Sequence, residues 1–444
     1  MTKGSLFKNL VRFSLPYLLS CFLQTFYGLA DLFIIGRFNK APEITAVAVG
    51  SQVMHMLTVM LVGLVMGSTV AISRALGAKD KEKIARGIGN TITLFLGVAL
   101  ILTVLLVLLT GPIIGLLSVP KESLTETSRY LTVCFLGIPF ITAYNVLAGI
   151  FRGMGDSKRP MYFVAIAGIL NVGLDWLLIG PLKMGAMGAA IATVFSQGVS
   201  VAIALLVFSK LKLGVKLTRE DLKPNPQTMR QLLKVGVPIA VQDGFIQVSF
   251  MVITVIANRR GVDVAAAVGI VEKIISFLFL VPSAMLSTVS ALAAQNAGAG
   301  KHERGREALK LGILVTFVFG FVIAGICQFA STDMVRLFSK EEEAVIRLGG
   351  QYLRTYSLDC MIAGIHFCFS GYFAAYQRSM ASFVHNVISV LLVRIPGAYL
   401  ASVWYPETLY AMGLAAPLGS LLSVIICAWF YCWWQKKEKR LKTE

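Results

Sequence analysis

Two carboxylic acids and an amide stand in this chain where a membrane-length apolar helix can least easily hold them. The stretch 168–180, GILNVGLDWLLIG, carries Asn171 and Asp175 four residues apart in an otherwise apolar run. On a helix that spacing stacks both side chains on one face. Asp31 stands in another such run, with Gln24 and Tyr27 seven and four residues ahead of it on the same helical face. An ionised side chain at the middle of a membrane helix costs about 2.5–3.5 kcal/mol or more, so it is rare unless it faces a polar interior and has work to do there. If the two carboxylates come together in a low dielectric, they cannot both ionise without compensation. Such a pair either takes a proton or ionises around a small hard cation such as Na⁺. The residue types do not choose between the two ions, and no nucleophile–base set accompanies them, so an enzyme is the least expected reading.

The elements that must position these groups follow from composition. The 444 residues are 56% hydrophobic and 14% charged, with a mean hydropathy of +0.75, where soluble domains average about 25% charged residues. This is an all-α polytopic membrane protein, because its apolar runs have helix length rather than the short alternating pattern of a barrel. Twelve candidate spans start near residues 12, 46, 88, 130, 160, 187, 232, 265, 308, 352, 383 and 409. The formal charge of +18 does not imply nucleic acid: with both termini placed in the cytoplasm, 28 of the 41 Lys and Arg fall in the termini and even-numbered loops and 11 in the odd-numbered ones, as the positive-inside rule requires. The first apolar run follows Lys3, Lys8 and Arg12, contains Pro16, and lacks a small-residue cleavage site. It is therefore expected to remain as the first span rather than leave as a signal peptide. The seven cysteines show no C-x-x-C pair or metal-ligand spacing and read as small core residues without disulfides.

The longest loop, near 209–231, lies at the centre of the chain and invites a search for duplication. Pro16 pairs with Pro238 at an offset of 222, Val47-Ala48-Val49-Gly50 with Ala266-Ala267-Val268-Gly269, ALGAKDKEK at 75–83 with NAGAGKHER at 296–304, and Ala186-Met187-Gly188 with Ala411-Met412-Gly413. The expected organisation is an N-terminal six-helix lobe at 1–209, a cytoplasmic linker at 210–231, a C-terminal six-helix lobe at 232–435 and a basic cytoplasmic tail at 436–444. Six spans per half in the same orientation make a parallel pseudo-two-fold repeat, with a substrate path expected between the lobes. At the same offset Asp31 meets Ile253 and Asp175 meets Gly397, so both acids belong to the first half alone.

The two-times-six architecture, TFYGLADLFIIG in the first span, RGMGDSKRP after the fourth, NVGLD in the fifth and the GAG-rich loop after the eighth together resemble the multidrug and toxic compound extrusion (MATE) family, with its prokaryotic DinF-like branch the nearer match. The NorM-like branch has a glutamate eight residues after the proline matching Pro238; here that position is Ile246, with Gln247 beside it. The resemblance implies a cation-coupling site made of Asp31, Asn171, Asp175, the backbone carbonyl of Ala189 and Thr193. For Na⁺ these positions would offer two carboxylates, an amide, a main-chain carbonyl and a hydroxyl. It further implies a cation-coupled antiporter in a prokaryotic cytoplasmic membrane, working as a monomer among lipids on small organic, cationic or amphiphilic compounds, with H⁺ or Na⁺ as its only cofactor. A flippase for lipid-linked precursors from the same superfamily and a channel are the alternatives.

Gln24, Tyr27 and Asn145 are candidates for a substrate pocket, set against simple satisfaction of neighbouring helices, and Pro16 is a candidate hinge. Met54, Met56, Met60 and Met66 read as adaptable core packing. In the second half, Asp243, Glu272, Lys273, Asp359, His366 and Arg394 lie in or near spans, Asp359 and His366 seven apart on one face, with mutual salt bridging as the default expectation and an acidic wall for cations as the other. His55, His366 and His385 read as satisfied interior histidines rather than a metal set. Gly153-Met154-Gly155-Asp156 imitates an intramembrane aspartyl protease motif, but the chain contains no Tyr-Asp, and Pro160 marks the segment as a turn opening the next helix.

Overall fold

Backbone N–H and C=O groups in hydrocarbon must find partners within their own segment, which leaves long apolar runs no choice but the helix. The computed structural model describes residues 1–117, 119–210, 217–339 and 342–443; part of the expected linker (211–216) and the last residue of the tail, Glu444, lie outside the described residues. Among the described residues the chain is helical throughout, with no strand. The first half forms α1 (Leu6–Phe38), α2 (Ala41–Gly77), α3 (Lys81–Leu108), α4 (Thr110–Leu116), α5 (Leu124–Leu136), α6 (Ile138–Gly153), α7 (Lys158–Ile179) and α8 (Gly185–Lys210). The second forms α9 (Pro226–Asn258), α10 (Val262–Leu278), α11 (Leu280–Gly298), α12 (His302–Arg336), α13 (Glu343–Tyr356), α14 (Asp359–Ala375), α15 (Ser379–Ser389), a π-helical turn at Val390–Arg394, α16 (Ile395–Trp404) and α17 (Tyr410–Thr443). Ten of the helical stretches are long and apolar enough to cross a membrane, and they become twelve when each of two bent pairs counts as one span.

Those pairs are α5 with α6, bent by 47°, and α13 with α14, bent by 42°. They are the fourth span of each half, so the duplication extends to a broken helix. It also extends to the turns. Lys79 (φ 58°) and Gly300 (φ 72°) both take the left-handed conformation, and each is followed by an N–H that reaches back five residues, Asp80 to Ala75 O at 3.1 Å and Lys301 to Asn296 O at 2.8 Å. The next matched pair, Gly155 (φ 84°) and Gln377 (φ 58°), is followed in the same way by Asp156 N–H on Phe151 O at 2.9 Å and Arg378 N–H on Phe373 O at 2.8 Å. Each is the helix-ending motif that satisfies otherwise orphaned carbonyls.

The chain divides into two compact units, Arg12–Gly236 and Val237–Glu444 joined by Met1–Val11. The N-terminal segment joins the second unit because Lys301 Nζ donates to Thr2 O at 2.9 Å and Arg304 Nη2 to Gly4 O at 2.8 Å. The described end of the linker is fastened to α3: Asn90 Nδ2 donates to Asp221 O at 3.1 Å, Asn225 N–H to Asn90 Oδ1 at 2.7 Å, and Thr93 Oγ1 to Leu222 O at 2.7 Å. Within the first unit, α2 meets α6 through Thr69 Oγ1 on Gly149 O (3.1 Å) and Ser73 Oγ on Gly153 O (2.9 Å). Outward faces are apolar, with Leu100, Ile101 and Val104 on α3 and Phe317, Phe321 and Phe329 on α12 exposed, as lipid contact requires. All seven cysteines are free thiols.

Small residues let these helices approach closely. A Cβ at Gly320 on α12 would sit 2.3 Å from Cys360 O, and one at Gly371 on α14 would sit 2.3 Å from Leu286 O, whereas Gly97 and Gly325 have nothing within 4 Å. Gly320→Ala and Gly371→Ala should each cost about 1–3 kcal/mol through forced backbone shifts. Gly97→Ala and Gly325→Ala, in open helical positions, should be neutral or gain up to about 1 kcal/mol. Unfolding midpoints of the detergent-purified variants check the contrast; equal midpoints for all four would refute the close-approach account.

Candidate cation site

The buried stripe of α7 runs Phe163, Ala167, Asn171, Asp175, Ile179, every fourth residue, while Ile169 and Trp176 on the other side are exposed. The amide and the acid thus continue an apolar stripe that faces inward. The turn before α7 is built by Asp156, whose Oδ1 accepts the N–H groups of Lys158 (3.0 Å) and Arg159 (3.2 Å), so the protease-like motif serves as a helix start. The helix α8 begins at Gly185, where φ is +56°. A Cβ at Gly168 would lie 3.3 Å from the Tyr27 ring, which is how closely α1 and α7 approach.

All five expected site residues lie in the first unit. Asp31 is 4% exposed, Asn171 2% and Asp175 0%; Ala189 is buried and Thr193 half-buried on α8. Asn171 Nδ2 points to Thr193 Oγ1 at 3.4 Å. The carboxyl groups of Asp31 and Asp175 lie within hydrogen-bonding reach of each other. No described donor bonds to either oxygen of Asp175, to Asp31 Oδ1 or to Asn171 Oδ1. Three carboxylate oxygens and the Asn171 side-chain oxygen are therefore buried with no described donor, and two ionised carboxylates would repel. The arrangement fits a proton shared between the acids, or a cation that accepts those oxygens.

Two residues that the sequence reading passed over belong to this neighbourhood. Gln197 Nε2 donates to Tyr27 OH at 3.4 Å; it follows Ala189 and Thr193 at the same four-residue interval, so its face was legible. Tyr130 from α5, buried and bonded to Ser51 through its hydroxyl (3.1 Å), lies within electrostatic range of Asp31, and no local pattern announces a contact between spans so far apart in the chain. Gln24 is half-buried. Asn145 turns its amide back on its own helix, donating to Ile141 O at 2.8 Å. The helix α1 runs unbroken through Pro16, whose carbonyl accepts from Ser20 Oγ at 2.9 Å.

A family model described as MatE matches residues 16–177 and 238–400, two blocks that begin at the paired prolines. The chain belongs to the MATE family. MATE proteins are multi-pass membrane transporters and not enzymes. This MATE chain is 29% identical to the probable multidrug resistance protein YpnP of Bacillus subtilis, over 100% of its own length and 98% of the relative's. It is 26% identical to the multidrug export protein MepA of Staphylococcus aureus, over 96% and 94%. Its fold matches a MOP superfamily transporter from Pyrococcus furiosus with a TM-score of 0.91 at 22% identity, covering 99% and 98% of the two chains. An outward-facing multidrug resistance MATE transporter matches with a TM-score of 0.89 at 22% identity, covering 100% and 98%.

The polar residues of the second half behave differently from the default expectation. Among the described residues no ion pair joins Asp359 to His366: Asp359 bonds Ser420 and faces Arg394, while the His366 ring lies tilted to Phe367 with centroids 5.1 Å apart and edge-on to His385 at 5.5 Å. His385 is buried against Ser370 Oγ at 3.0 Å. His55 and Lys273 are exposed, so His55 is not an interior histidine, and Asp243 is half-buried.

An acid buried without donors destabilises its own fold. Replacing Asp175 by Asn or Leu should therefore raise the protein's unfolding free energy by about 1–3 kcal/mol, seen as a higher thermal midpoint. A lower midpoint for both variants would mean that the carboxylate is structural glue.

Proposed function

We propose that this MATE protein is a multidrug efflux antiporter of the prokaryotic cytoplasmic membrane, expelling small cationic or amphiphilic organic compounds as H⁺ or Na⁺ enters. The observation that carries the reading is the donor-free meeting of Asp31 and Asp175 beside Asn171 and Thr193. The names of the B. subtilis and S. aureus relatives support the substrate class. One positive charge moving inward gains about 2.3 kcal/mol per 100 mV, enough to drive roughly a fifty-fold gradient of a neutral substrate.

In the cycle, a cation loads between the acids from outside and removes their repulsion. Loading relaxes α1, whose weak point is Pro16: proline supplies no N–H to the carbonyl one turn earlier. Tyr27 sits one turn from Asp31, so movement of α1 changes the face that Tyr27, Gln24 and Gln197 offer to substrate, with Asn145 placed to contribute on α6. Two lobes, approximately 1–209 and 232–435, then alternate in access. Coupling consists of the differential affinity of the two states for cation and substrate. Both termini face the cytoplasm in this scheme. Trp433 and Trp434 directly before Lys436 and Lys437 suit the anchored, positively charged end of the last span. The transporter works as a monomer.

In proteoliposomes, Asp31→Asn and Asp175→Asn should each reduce gradient-driven dye export by at least a hundredfold while leaving folding intact. Full transport by either variant would refute the site. Separate proton and sodium jumps applied to the unmodified protein identify the ion, since only the coupling ion drives uptake.

A further inference from the structure

The duplication assigns the second half a counterpart of the acid-bearing fifth span. Moving Asn171 forward by the offsets that the repeats display, 219 to 225, lands on 390–396. In that segment the second copy departs from the first. Val390–Arg394 forms a π-helical turn closed by Ile395 N–H on Val390 O, and Pro396 two positions after Arg394 supplies no N–H of its own. Such a turn adds a residue to the helix and re-aims the side chains beyond it.

Arg394 ends the π turn and enters a polar cluster contained in the second unit. Its Nη2 donates to Tyr356 OH at 2.6 Å, and its guanidinium stands 4.6 Å from the centre of the Phe250 ring. Glu272 and Asp359 both lie within electrostatic range of it. Each acid has one oxygen bonded, Glu272 Oε2 to Thr254 Oγ1 at 3.3 Å and Asp359 to Ser420. Glu272 Oε1 and Asp359 Oδ1 meet no described donor. The cluster therefore repeats the composition of the Asp31–Asp175 site, two acids each with an inaccessible open oxygen, Asp359 buried and Glu272 half-buried, and adds a cation that cannot leave. A guanidinium does not give up its proton in a protein, and here a short hydrogen bond and an aromatic face hold it in place.

We propose that Arg394 is a resident cation: it takes in the second unit the electrostatic place that a transported ion takes between Asp31 and Asp175 in the first. The second unit then stays permanently in the charge state of a loaded site, and the antiport cycle carries one coupling cation through one unit. This rests on the reading of Asp31 and Asp175 as the coupling site. A purely structural role for Arg394 would make its loss destabilising without creating a new cation site.

The test is the cation-to-substrate ratio, measured by the reversal method in proteoliposomes with ethidium as substrate under opposed proton or sodium gradients. The unmodified protein should give a ratio of one, and Arg394→Lys and Glu272→Gln should keep it. Arg394→Gln should raise it to two, because Glu272 and Asp359 now need a mobile partner. A ratio of two in the unmodified protein overturns the proposal, and so does folded Arg394→Gln with a ratio of one. Should Arg394→Gln not fold, the unmodified protein and Glu272→Gln still decide: one in both supports the resident cation, and a ratio that falls in Glu272→Gln refutes it. Failure of the underlying site reading looks different, since Asp31→Asn would then retain coupled transport.

Discussion

The structure depends on one expensive arrangement, the placement of Asp31 and Asp175 against each other inside a helical unit with no described donor for three of their four oxygens. In water the pair would be ordinary. In a low dielectric each ionised acid carries a desolvation cost and each raises the cost of the other. Everything near the pair limits the ways of relieving it. The stripe of α7 faces inward, Tyr130 lies within electrostatic range of Asp31, and the Asn171 side-chain oxygen is buried with no described donor. An amide turned the other way would quench an acid; this one has its N–H₂ committed to Thr193. A proton shared between the acids, or a small cation on their open oxygens, would relieve it.

Much of this is legible in the sequence. Helices follow from long apolar runs, and the duplication follows from matched prolines and turns, because both are local and periodic. The bent fourth spans were not, since a run of apolar residues reads the same whether it bends or not; Gly137 and Pro139 at the first break are visible only in hindsight. The gathering of Asp31, Asn171, Asp175 and Thr193 rested on helical faces and a family resemblance, and their faces do converge. Tyr130 and the N-terminal segment were missed for one reason: Tyr130 lies about a hundred positions from Asp31, and Thr2 about three hundred from Lys301. The Asp359–His366 pair failed for the complementary reason. A shared helical face permits two side chains to meet, but Asp359 bonds Ser420 and faces the Arg394 guanidinium of another span, while His366 packs against Phe367 and His385.

Duplication explains why the expensive feature can exist in a protein that must also be stable. A single six-helix unit would have to supply rigidity and a responsive site from the same residues. Two copies allow the tasks to separate: the left-handed turn residues after the second and fourth spans are kept in both halves, because they end helices that both halves need, whereas the ionisable residues diverge. The first half keeps two acids and leaves their charge open. The second holds Glu272 and Asp359 within electrostatic range of Arg394, at a helix turn that has no equivalent among the described helices of the first half. A carboxylate pair can couple to an ion only while its counter-charge is free to come and go, so with Asp31 and Asp175 as the proposed coupling site and Arg394 as the proposed resident cation, the position of one arginine would decide which half of the repeated fold responds to an ion.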